Sequence, residues 1–301
     1  PIVQPDGANE ALWRALMLGL RDYCDKNGFP SVIFGLSGGI DSAIVAALAV
    51  DALGSDRVHA VMMPSDYTAE ISVTDADKLA EALGIKLDTI AIRKGMTAFD
   101  NMLAPSFEGQ NPGLAEENIQ SRLRGMLLMA LSNKFGHLVL ATGNKSEYAA
   151  GYSTLYGDMC GGFAPIKDVW KTRIFELARW RNSAVPKGAL GPTGEVIPDR
   201  IITRPPSAEL RPNQQDTDSL PPYEILDEIL IALTEEMADI ETITARGFDA
   251  DTVAQASKLL FRAEYKRFQA APGPKVTARA FGRDRRLPLT SGFRPQIMEK
   301  L

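Results

Sequence analysis

Short apolar runs alternate with amphipathic segments over residues 8–182, and this alternation constrains the fold more than any other feature of the chain. Apolar runs of strand length occupy 31–36, 57–64, 86–92 and 137–142. Apolar positions three or four residues apart predict helices over 8–26, 42–53, 72–83, 115–134 and 168–182. Strands that alternate with helices form right-handed βαβ units. The sequence therefore predicts an α/β fold, a parallel sheet with helices on both faces.

Local signals mark two of the helix ends. Gly54 and Gly84 are placed to terminate the helices over 42–53 and 72–83. The Ser-Val-Thr-Asp stretch that begins at Ser72 has the form of a capping box, which predicts that the second of these helices begins there.

The second half of the chain has a different organisation. Residues 104–113 are rich in Pro, Gly and polar side chains, and 183–222 contain eight prolines, so both are predicted to be loops. Helical periodicity returns over 223–239 and 249–269, ahead of a basic tail. We expect four parts: an N-terminal linker and amphipathic helix (1–30), an α/β core (31–182), a Pro-rich loop (183–222), and C-terminal helices and tail of the same domain (223–301).

Composition excludes several classes of protein. The net charge of −5 argues against a nucleic-acid binder that works through a basic face. Cys24 and Cys160 are the two cysteines, too few for a disulfide framework or a cysteine-rich zinc site, and a reducing compartment suits them. Neither a signal peptide nor an apolar run long enough to cross a bilayer is present in the sequence. We predict a cytoplasmic protein without nucleic-acid or membrane partners. The chain lacks an initiator Met, which is expected of a protein that is either processed or excised from a longer one.

The glycine turn, residues 35–42, has three rival interpretations. It lacks the Lys of a Walker A loop and the glycine spacing of a dinucleotide fingerprint. Its first five residues do match G-x-S-x-G, which would make Ser37 the nucleophile of a serine hydrolase. That enzyme needs a histidine after the last strand of its sheet, and His59 and His137 both lie near the beginnings of strands. The hydrolase interpretation is therefore disfavoured.

A phosphate cradle accounts for more of the glycine turn. Backbone amides of Ser37, Gly38 and Gly39 can converge on an anion, and Asp41 and Ser42 open a helix whose N-terminus attracts negative charge. Beside a polyphosphate, Asp41 would need a divalent cation between them, which makes it a candidate Mg²⁺ ligand. The alternative, that Asp41 only favours the helix N-terminus, stays open on this evidence.

Ser-Gly-Gly-Ile-Asp-Ser (37–42) after an apolar strand resembles the PP-loop of the N-type ATP pyrophosphatases, which cleave ATP to AMP and pyrophosphate. Further stretches are similar to the synthetase domain of NAD synthetases, the glutamine-dependent branch in particular: 114–133, 140–158, 165–182, 205–227 and 263–269. The resemblance covers nearly the whole chain. It implies a Rossmann-like fold of the adenine nucleotide alpha hydrolase type, with 31–182 as its core and a C-terminal helical extension. It also implies amidation of deamido-NAD to NAD through an adenylated intermediate.

The resemblance assigns roles to particular residues. It implies ATP binding by Gly35, Leu36, Ser37, Gly38, Gly39, Ile40, Asp41, Ser42, Thr142 and Lys171. It implies a deamido-NAD site of Asn118, Arg122, Glu147, Asp158 and Lys266. Asp41 and Glu147 would share Mg²⁺, a set of carboxylates that the ion commonly uses with phosphate oxygens, while Asp158 and Lys171 would be catalytic. Without the resemblance, these side chains equally fit exposed helix faces and a turn.

The resemblance also implies partners. Ammonia would attack the adenylated dinucleotide, and the enzyme would form a homodimer or a larger homo-oligomer. In the glutamine-dependent branch a separate glutaminase domain with a Cys nucleophile supplies ammonia. Cys24 lies on the first amphipathic helix and Cys160 within a synthetase motif, so we expect that domain to lie outside this chain. Activity with ammonium salts, and none with glutamine, is therefore predicted.

Three alternatives remain at this point. Another PP-loop enzyme would amidate or thiolate a different substrate, although a thiolating enzyme would favour redox cysteines and a basic face. The second alternative is the serine hydrolase that uses Ser37. A nucleotide-binding module without chemistry is the third.

Overall fold

A parallel sheet of four strands organises the computed structural model, which describes residues 6–212 and 214–290. The strands are β1 (Val32–Gly35), β2 (Val58–Met62), β3 (Lys86–Thr89) and β4 (Leu138–Val139). They lie in the order β3-β2-β1-β4, with Val32 opposite both Val58 and Leu138. Chain order therefore reverses between β1 and β4. Open α/β sheets bind ligands at the carboxyl ends of the strands beside such a point.

Twelve α-helices surround this sheet within the described ranges. They are α1 (Ala8–Lys26), α2 (Ile40–Leu53), α3 (Glu70–Leu83), α4 (Arg93–Leu103), α5 (Leu114–Phe135), α6 (Lys145–Ala150), α7 (Lys171–Ser183), α8 (Asp199–Thr203), α9 (Tyr223–Ile231), α10 (Ile240–Ala245), α11 (Ala250–Arg262) and α12 (Glu264–Arg267). Short 3₁₀ turns occupy Ser55–Arg57 and Asp216–Asp218, and a π-helical turn, Ala232–Glu236, follows α9. Over 6–212 and 214–290, no helix is both long and apolar enough to cross a membrane.

Alternate side chains of the central strand face opposite helical layers. Val32 and Phe34 belong to the large apolar cluster that includes α1, α2, α3 and α7. Ile33 belongs to a second cluster, with Val61 of β2 and Leu128 of α5. Because successive strand residues point to opposite faces, helices must cover both sides of the sheet. The predicted α/β class is confirmed.

The C-terminal helices form their own core against α6. Tyr148 of α6 packs in a cluster with Leu226 and Leu230 of α9 and with Val253 and Leu260 of α11. This cluster attaches the C-terminal helical extension, which was also expected, to the helix that follows β4. The extension therefore borders the carboxyl ends of the strands.

Several predicted element boundaries were wrong. The capping box is one of them, since α3 begins at Glu70 with Ala69 as its N-cap. Ser72 instead donates its hydroxyl to Glu209 at 2.5 Å, a contact across 137 residues that no local pattern encodes. The helix predicted from 42 begins at Ile40, and the one predicted from 168 begins at Lys171.

Four short or unexpected helices were missed by the periodicity: α4, α6, α8 and α10. The Pro-rich stretch 183–222, which was predicted to be a loop, therefore also contains α8 and the second 3₁₀ turn. Helices of five or six residues carry too few apolar repeats to show a period. The division into four parts stays a prediction, and its residues 1–5, 213 and 291–301 lie outside the described residues.

A buried ion pair joins α2, α7 and the start of the Pro-rich stretch. Asp51 accepts hydrogen bonds from Arg181 Nε at 2.6 Å and Nη2 at 2.9 Å, and from Trp13 Nε1 at 2.9 Å. Arg181 Nη2 also donates to the carbonyl of Pro192 at 2.7 Å. Both charged side chains are fully buried, so they are tolerable only as a pair.

Replacing Asp51 by alanine should therefore lower the free energy of unfolding by about 3–5 kcal/mol, because it leaves the Arg181 guanidinium buried without its counter-charge. Urea denaturation followed by circular dichroism measures the change. Asp56 is exposed on the turn that follows the same helix, and Asp56→Ala, as the control, should change stability by less than about 0.5 kcal/mol. Equal midpoints for the two variants would contradict the prediction.

Candidate active site

The glycine turn lies at the carboxyl end of β1, beside the reversal in strand order. Gly38 has φ +77°, and a Cβ there would lie 2.2 Å from the carbonyl oxygen of Ser72. Ser37 Oγ is 3.1 Å from Ser42 Oγ and accepts from the Gly39 amide at 3.2 Å. The two hydroxyls thus hold the turn in shape, and Gly38 lets it pass against α3.

The first turn of α2 begins at the carboxyl edge of the sheet, where the strand order reverses and a ligand-binding crevice is expected. Ile40, Asp41 and Ser42 begin the helix, where amides have no intrahelical acceptor. The N-cap residue is Gly39, in an extended conformation and without a capping side chain. The arrangement suits a phosphate, since the donors and the helix dipole act together.

Nothing around Ser37 supports a nucleophile. His59 and His137 lie near the amino ends of β2 and β4, the opposite edge of the sheet, with ring centroids 4.4 Å apart. His137 Nδ1 contacts Ser31 Oγ at 2.6 Å. Both histidines of the chain are thus engaged away from the glycine turn, and the hydrolase interpretation has no base.

A buried cluster of charge lies directly behind the glycine turn. Lys171, the first residue of α7, is 1% exposed, and its ammonium contacts Asp41 Oδ2 at 2.5 Å and Glu147 Oε1 at 3.5 Å. Asn144 donates its side-chain amide to Asp41 Oδ1 at 2.9 Å. Asp41 lies after β1, whereas Glu147 and Lys171 lie after β4. The fold therefore brings together Asp41 and Lys171, which are 130 residues apart in sequence.

Burial and neighbouring charges shift the pKa values of Glu147 and Lys171. Burial, and then the nearby charge of Asp41, raises the pKa of Glu147 well above its ordinary value, while the Lys171 ammonium opposes the shift. Burial alone would lower the pKa of Lys171, but Asp41 and Glu147 together raise it. Lys171 therefore stays charged, and the two carboxylates depend on a cation between them.

A second group of predicted residues surrounds the loop 151–158. Asp158 Oδ1 accepts from the Thr154 amide at 2.6 Å, and Thr154 Oγ1 donates to Asn118 Oδ1 at 3.0 Å. Lys266 donates to the carbonyls of Gly151 at 2.7 Å and Ser153 at 2.6 Å. The Asp158 side chain is open to solvent, but the protein atoms packed around it desolvate the carboxyl and raise its pKa to about 6, against the hydrogen bond from the Thr154 amide and the Lys266 ammonium. A carboxylate whose pKa is shifted toward neutral pH is a candidate acid–base group.

The remaining predicted residues lie at the margins of these two groups. Arg122 is exposed, and its Nε donates to the carbonyl of Leu155 at 3.2 Å. Thr142 lies in the turn between β4 and α6. The role of each predicted residue stays a prediction, and the contacts bring these residues together as two groups, one beside the glycine turn and one around the loop 151–158.

The sequence analysis missed Asn144. Its side chain caps α6, accepting from the Glu147 amide at 3.0 Å, while Glu147 Oε2 accepts from the Asn144 amide at 3.3 Å. This is a capping box, and the Asn-x-x-Glu spacing before a helix was the available signal. Asn144 thereby connects the position of Glu147 to that of Asp41.

The Pro-rich stretch also reaches the glycine turn, which no local pattern predicted. Arg204 Nη1 donates to Ser72 Oγ at 2.9 Å, and its Nη2 lies 3.5 Å from the carbonyl oxygen of Gly38. Glu209 accepts from Ser72 and has φ +49°. Residues far along the chain therefore lie against the same turn that borders the crevice.

We expect Gly38→Ala to weaken Mg·ATP binding at least about tenfold, a loss of about 1.4 kcal/mol, because Cβ would displace the turn from Ser72. Isothermal titration calorimetry measures the affinity. Gly84→Ala is the matched control: Gly84 also has positive φ, +65°, but a Cβ there meets no atom within 4 Å. Equal ATP affinity in the two variants would show that close approach to Ser72 is unimportant.

Comparison with known proteins shows the family to which the chain is related. The family model described as NAD synthase matches residues 12–270. A glutamine-dependent NAD(+) synthetase of Xanthomonas campestris pv. campestris is 55% identical over 300 residues, covering 98% of this chain and 53% of that protein. The chain spans about half the length of such relatives.

Solved structures show the same similarity. The glutamine-dependent NAD+ synthetase of Acinetobacter baumannii in complex with ADP is 48% identical with a TM-score of 0.63, covering 95% of this chain and 51% of that one. An NH3-dependent NAD synthetase of Campylobacter jejuni is 25% identical with a TM-score of 0.68, covering 86% of this chain and 96% of that one. The match with this chain therefore covers nearly the whole of the second structure.

Proposed function

The chain belongs to the NAD synthase family, and from this membership we propose that it converts deamido-NAD to NAD with ATP and ammonia. The nicotinate carboxylate would first be adenylated, with release of pyrophosphate. Ammonia would then displace AMP. The observation that supports this most is the buried Asp41–Lys171–Glu147 cluster behind an anion-binding glycine turn.

In the first step the nicotinate carboxylate attacks the α-phosphorus of ATP, and the bond to pyrophosphate breaks. The amides that open α2 and the Lys171 ammonium oppose the negative charge that gathers on the departing phosphates. Because Lys171 is held on both sides by carboxylates, it needs little rearrangement as that charge develops. The chain's part in this step is positioning and neutralisation.

Asp41 and Glu147 would hold Mg²⁺. They fit a hard cation because both are oxygen donors that already face one shared positive charge, the Lys171 ammonium. The ion would supply further neutralisation of the phosphates.

In the second step ammonia attacks the activated carbonyl carbon, and the bond to AMP breaks. Most ammonia at neutral pH is ammonium, so a base must take a proton before or during attack. Asp158 suits this role, since its pKa of about 6 leaves it ionised but still basic at neutral pH. The rate should therefore fall as the pH drops through about 6, where Asp158 becomes protonated.

Ammonia rather than glutamine is the proposed nitrogen source at this site. Burial raises the pKa of the Cys24 thiol to about 11 and also raises that of Cys160, so neither thiol is activated as a nucleophile. In a glutamine-dependent protein, a glutaminase domain outside these 301 residues would release the ammonia.

A homodimer and a cytoplasmic location complete the proposal. Large apolar side chains of α5 are exposed, among them Met126 and Met129, and such a face suits a second copy. Cys24 and Cys160 are free thiols, which suits a reducing compartment.

One assay tests the function. The 301-residue chain is incubated with Mg²⁺, ATP, deamido-NAD and ammonium chloride, and NAD, AMP and pyrophosphate are quantified by chromatography. We expect the three products in equal amounts, and pyrophosphate only when ATP and deamido-NAD are both present. Glutamine in place of ammonium should give no NAD. Pyrophosphate without deamido-NAD, or labelling of Ser37 by a fluorophosphonate, would contradict the proposal.

A further inference from the structure

A buried carboxylate outside the charged cluster joins two of the elements that carry it. Asp227 of α9 is 1% exposed. Its Oδ1 accepts from Ser146 Oγ at 2.5 Å, and its Oδ2 accepts from the amide and hydroxyl of Thr172 at 2.8 and 2.9 Å. One side chain thus holds the beginning of α6 and the beginning of α7.

The partners of Asp227 are the sequence neighbours of Glu147 and Lys171. Ser146 directly precedes Glu147, and Thr172 directly follows Lys171. Ser146 Oγ also accepts from the Lys171 amide at 2.9 Å, so the two helix starts are joined to each other as well as to α9. Any shift of Asp227 therefore moves the backbone on which both functional side chains stand.

Another residue of α9 lies directly against the Lys171 ammonium. Tyr223 lies one helical turn before Asp227, and the centroid of its ring is 5.1 Å from Lys171 Nζ. Tyr223 donates its hydroxyl to Asp216 Oδ2 at 2.9 Å. The first two turns of α9 therefore contact Lys171 directly through Tyr223 and its helix start through Asp227.

Charge strengthens the argument. Lys171 is the first residue of α7, where the helix dipole disfavours a cation. A carboxylate that accepts from the second amide of the same helix opposes that unfavourable field. Asp227 thus supplies both the geometry and the compensating charge at this helix start.

We propose that Asp227 is a positioning residue for the adenylation step, acting through Ser146 and Thr172 to set Lys171 against Asp41 and Glu147. The inference rests on the proposed function, because it concerns the turnover of deamido-NAD. It goes further by assigning a role to α9, whose side chain at 227 is separated from the crevice by α6 and α7.

Asp227→Asn tests the proposal. The variant keeps the size of the side chain but places a donor where the carboxylate accepts three hydrogen bonds. We expect kcat to fall about 10- to 100-fold, since a displacement of about 1 Å at a reacting centre has an effect of this size. The KM for deamido-NAD should change less than about threefold, because its ground-state contacts are untouched.

A double-mutant cycle separates positioning from general loss of structure. If Asp227 acts through Lys171, then Asp227→Asn should lower kcat less than about twofold further in a Lys171→Met background. Glu228→Gln, on the exposed side of α9, is the control and should leave kcat unchanged. Equal fold-losses in both backgrounds would overturn the proposal, as would full kcat in Asp227→Asn.

If Asp227→Asn does not fold, Ser146→Ala provides the test, since it removes the hydrogen bond from Ser146 to Asp227 and leaves the carboxylate in place. It should lower kcat in the same direction, again with little effect in the Lys171→Met background. Wild-type values would overturn the proposal. If the wild-type chain makes no NAD, the proposed function itself is contradicted. If the wild-type chain makes NAD and the variants match it, only the positioning role of Asp227 is contradicted.

Discussion

Replacing Lys171 by methionine is expected to lower kcat/KM for NAD formation about 10²- to 10³-fold, the usual effect of losing one preorganised charge in a phosphoryl-transfer site. The Lys171 ammonium is almost fully buried and already lies against Asp41 and Glu147. Methionine fills a similar volume without charge or donors, so the loss reports the electrostatic contribution. Initial rates with ATP, deamido-NAD and ammonium chloride provide the measurement.

The same substitution should alter stability in a pH-dependent way. Without Lys171, the pKa of Glu147 rises further in the folded state, because the one cation that lowers it is gone. A carboxyl group whose folded-state pKa lies above its unfolded value stabilises the fold at low pH and loses that contribution as pH rises. The variant should therefore be destabilised by about 3–5 kcal/mol at pH 8, and by less at pH 5.5.

The control is Lys78→Met, at an exposed position of α3. It should leave both kcat/KM and the pH dependence of unfolding unchanged. If Lys171→Met lost no activity, or if its instability did not depend on pH, the cluster would not have the role proposed for it.

Sequence patterns predicted the sheet because its strands and helices alternate, and burial on both faces imposes that pattern locally. The repulsion between a carboxylate and a bound phosphate made Asp41 a candidate Mg²⁺ ligand, and the resemblance paired it with Glu147; that pairing stays a prediction. What the structure adds is Lys171 between them, 130 residues from Asp41. The order of the strands determines this meeting, and strand order has no signature in periodicity.

Residues that support the site were beyond local patterns. Asp227 looks like any polar residue of an amphipathic helix, yet it is buried because Ser146 and Thr172 offer it donors. Ser72 was predicted to cap a helix, but its hydroxyl donates a hydrogen bond to Glu209 of the Pro-rich stretch. Such contacts join distant segments, so only the folded chain shows them.

Replacing Asp158 by asparagine is expected to have the second large effect. Ammonia-dependent turnover should fall about 10²- to 10⁴-fold, as is typical for loss of a general base. The carboxylate is proposed as the base because desolvation raises its pKa to about 6 while it stays open to solvent. Asparagine Oδ1 can still accept from the Thr154 amide, and the Asp158 amide can still donate to Ser121 Oγ, the bond that is now 3.0 Å long. The loop should therefore keep its shape while it loses its base.

The two steps should respond differently to this substitution. Adenylation needs the glycine turn and Lys171, so a first-turnover burst of pyrophosphate should persist in Asp158→Asn while NAD formation stalls. The acid limb near pH 6 should also disappear from the rate of NAD formation, because the group that titrates there is gone. Asp77→Asn, exposed on α3, is the control and should behave as wild type.

Rapid-quench measurements resolve the burst, and undiminished ammonia-dependent turnover in Asp158→Asn would exclude this carboxylate as the base. Loss of the burst together with turnover would instead assign Asp158 to substrate binding, because its charge would then matter before any ammonia arrives.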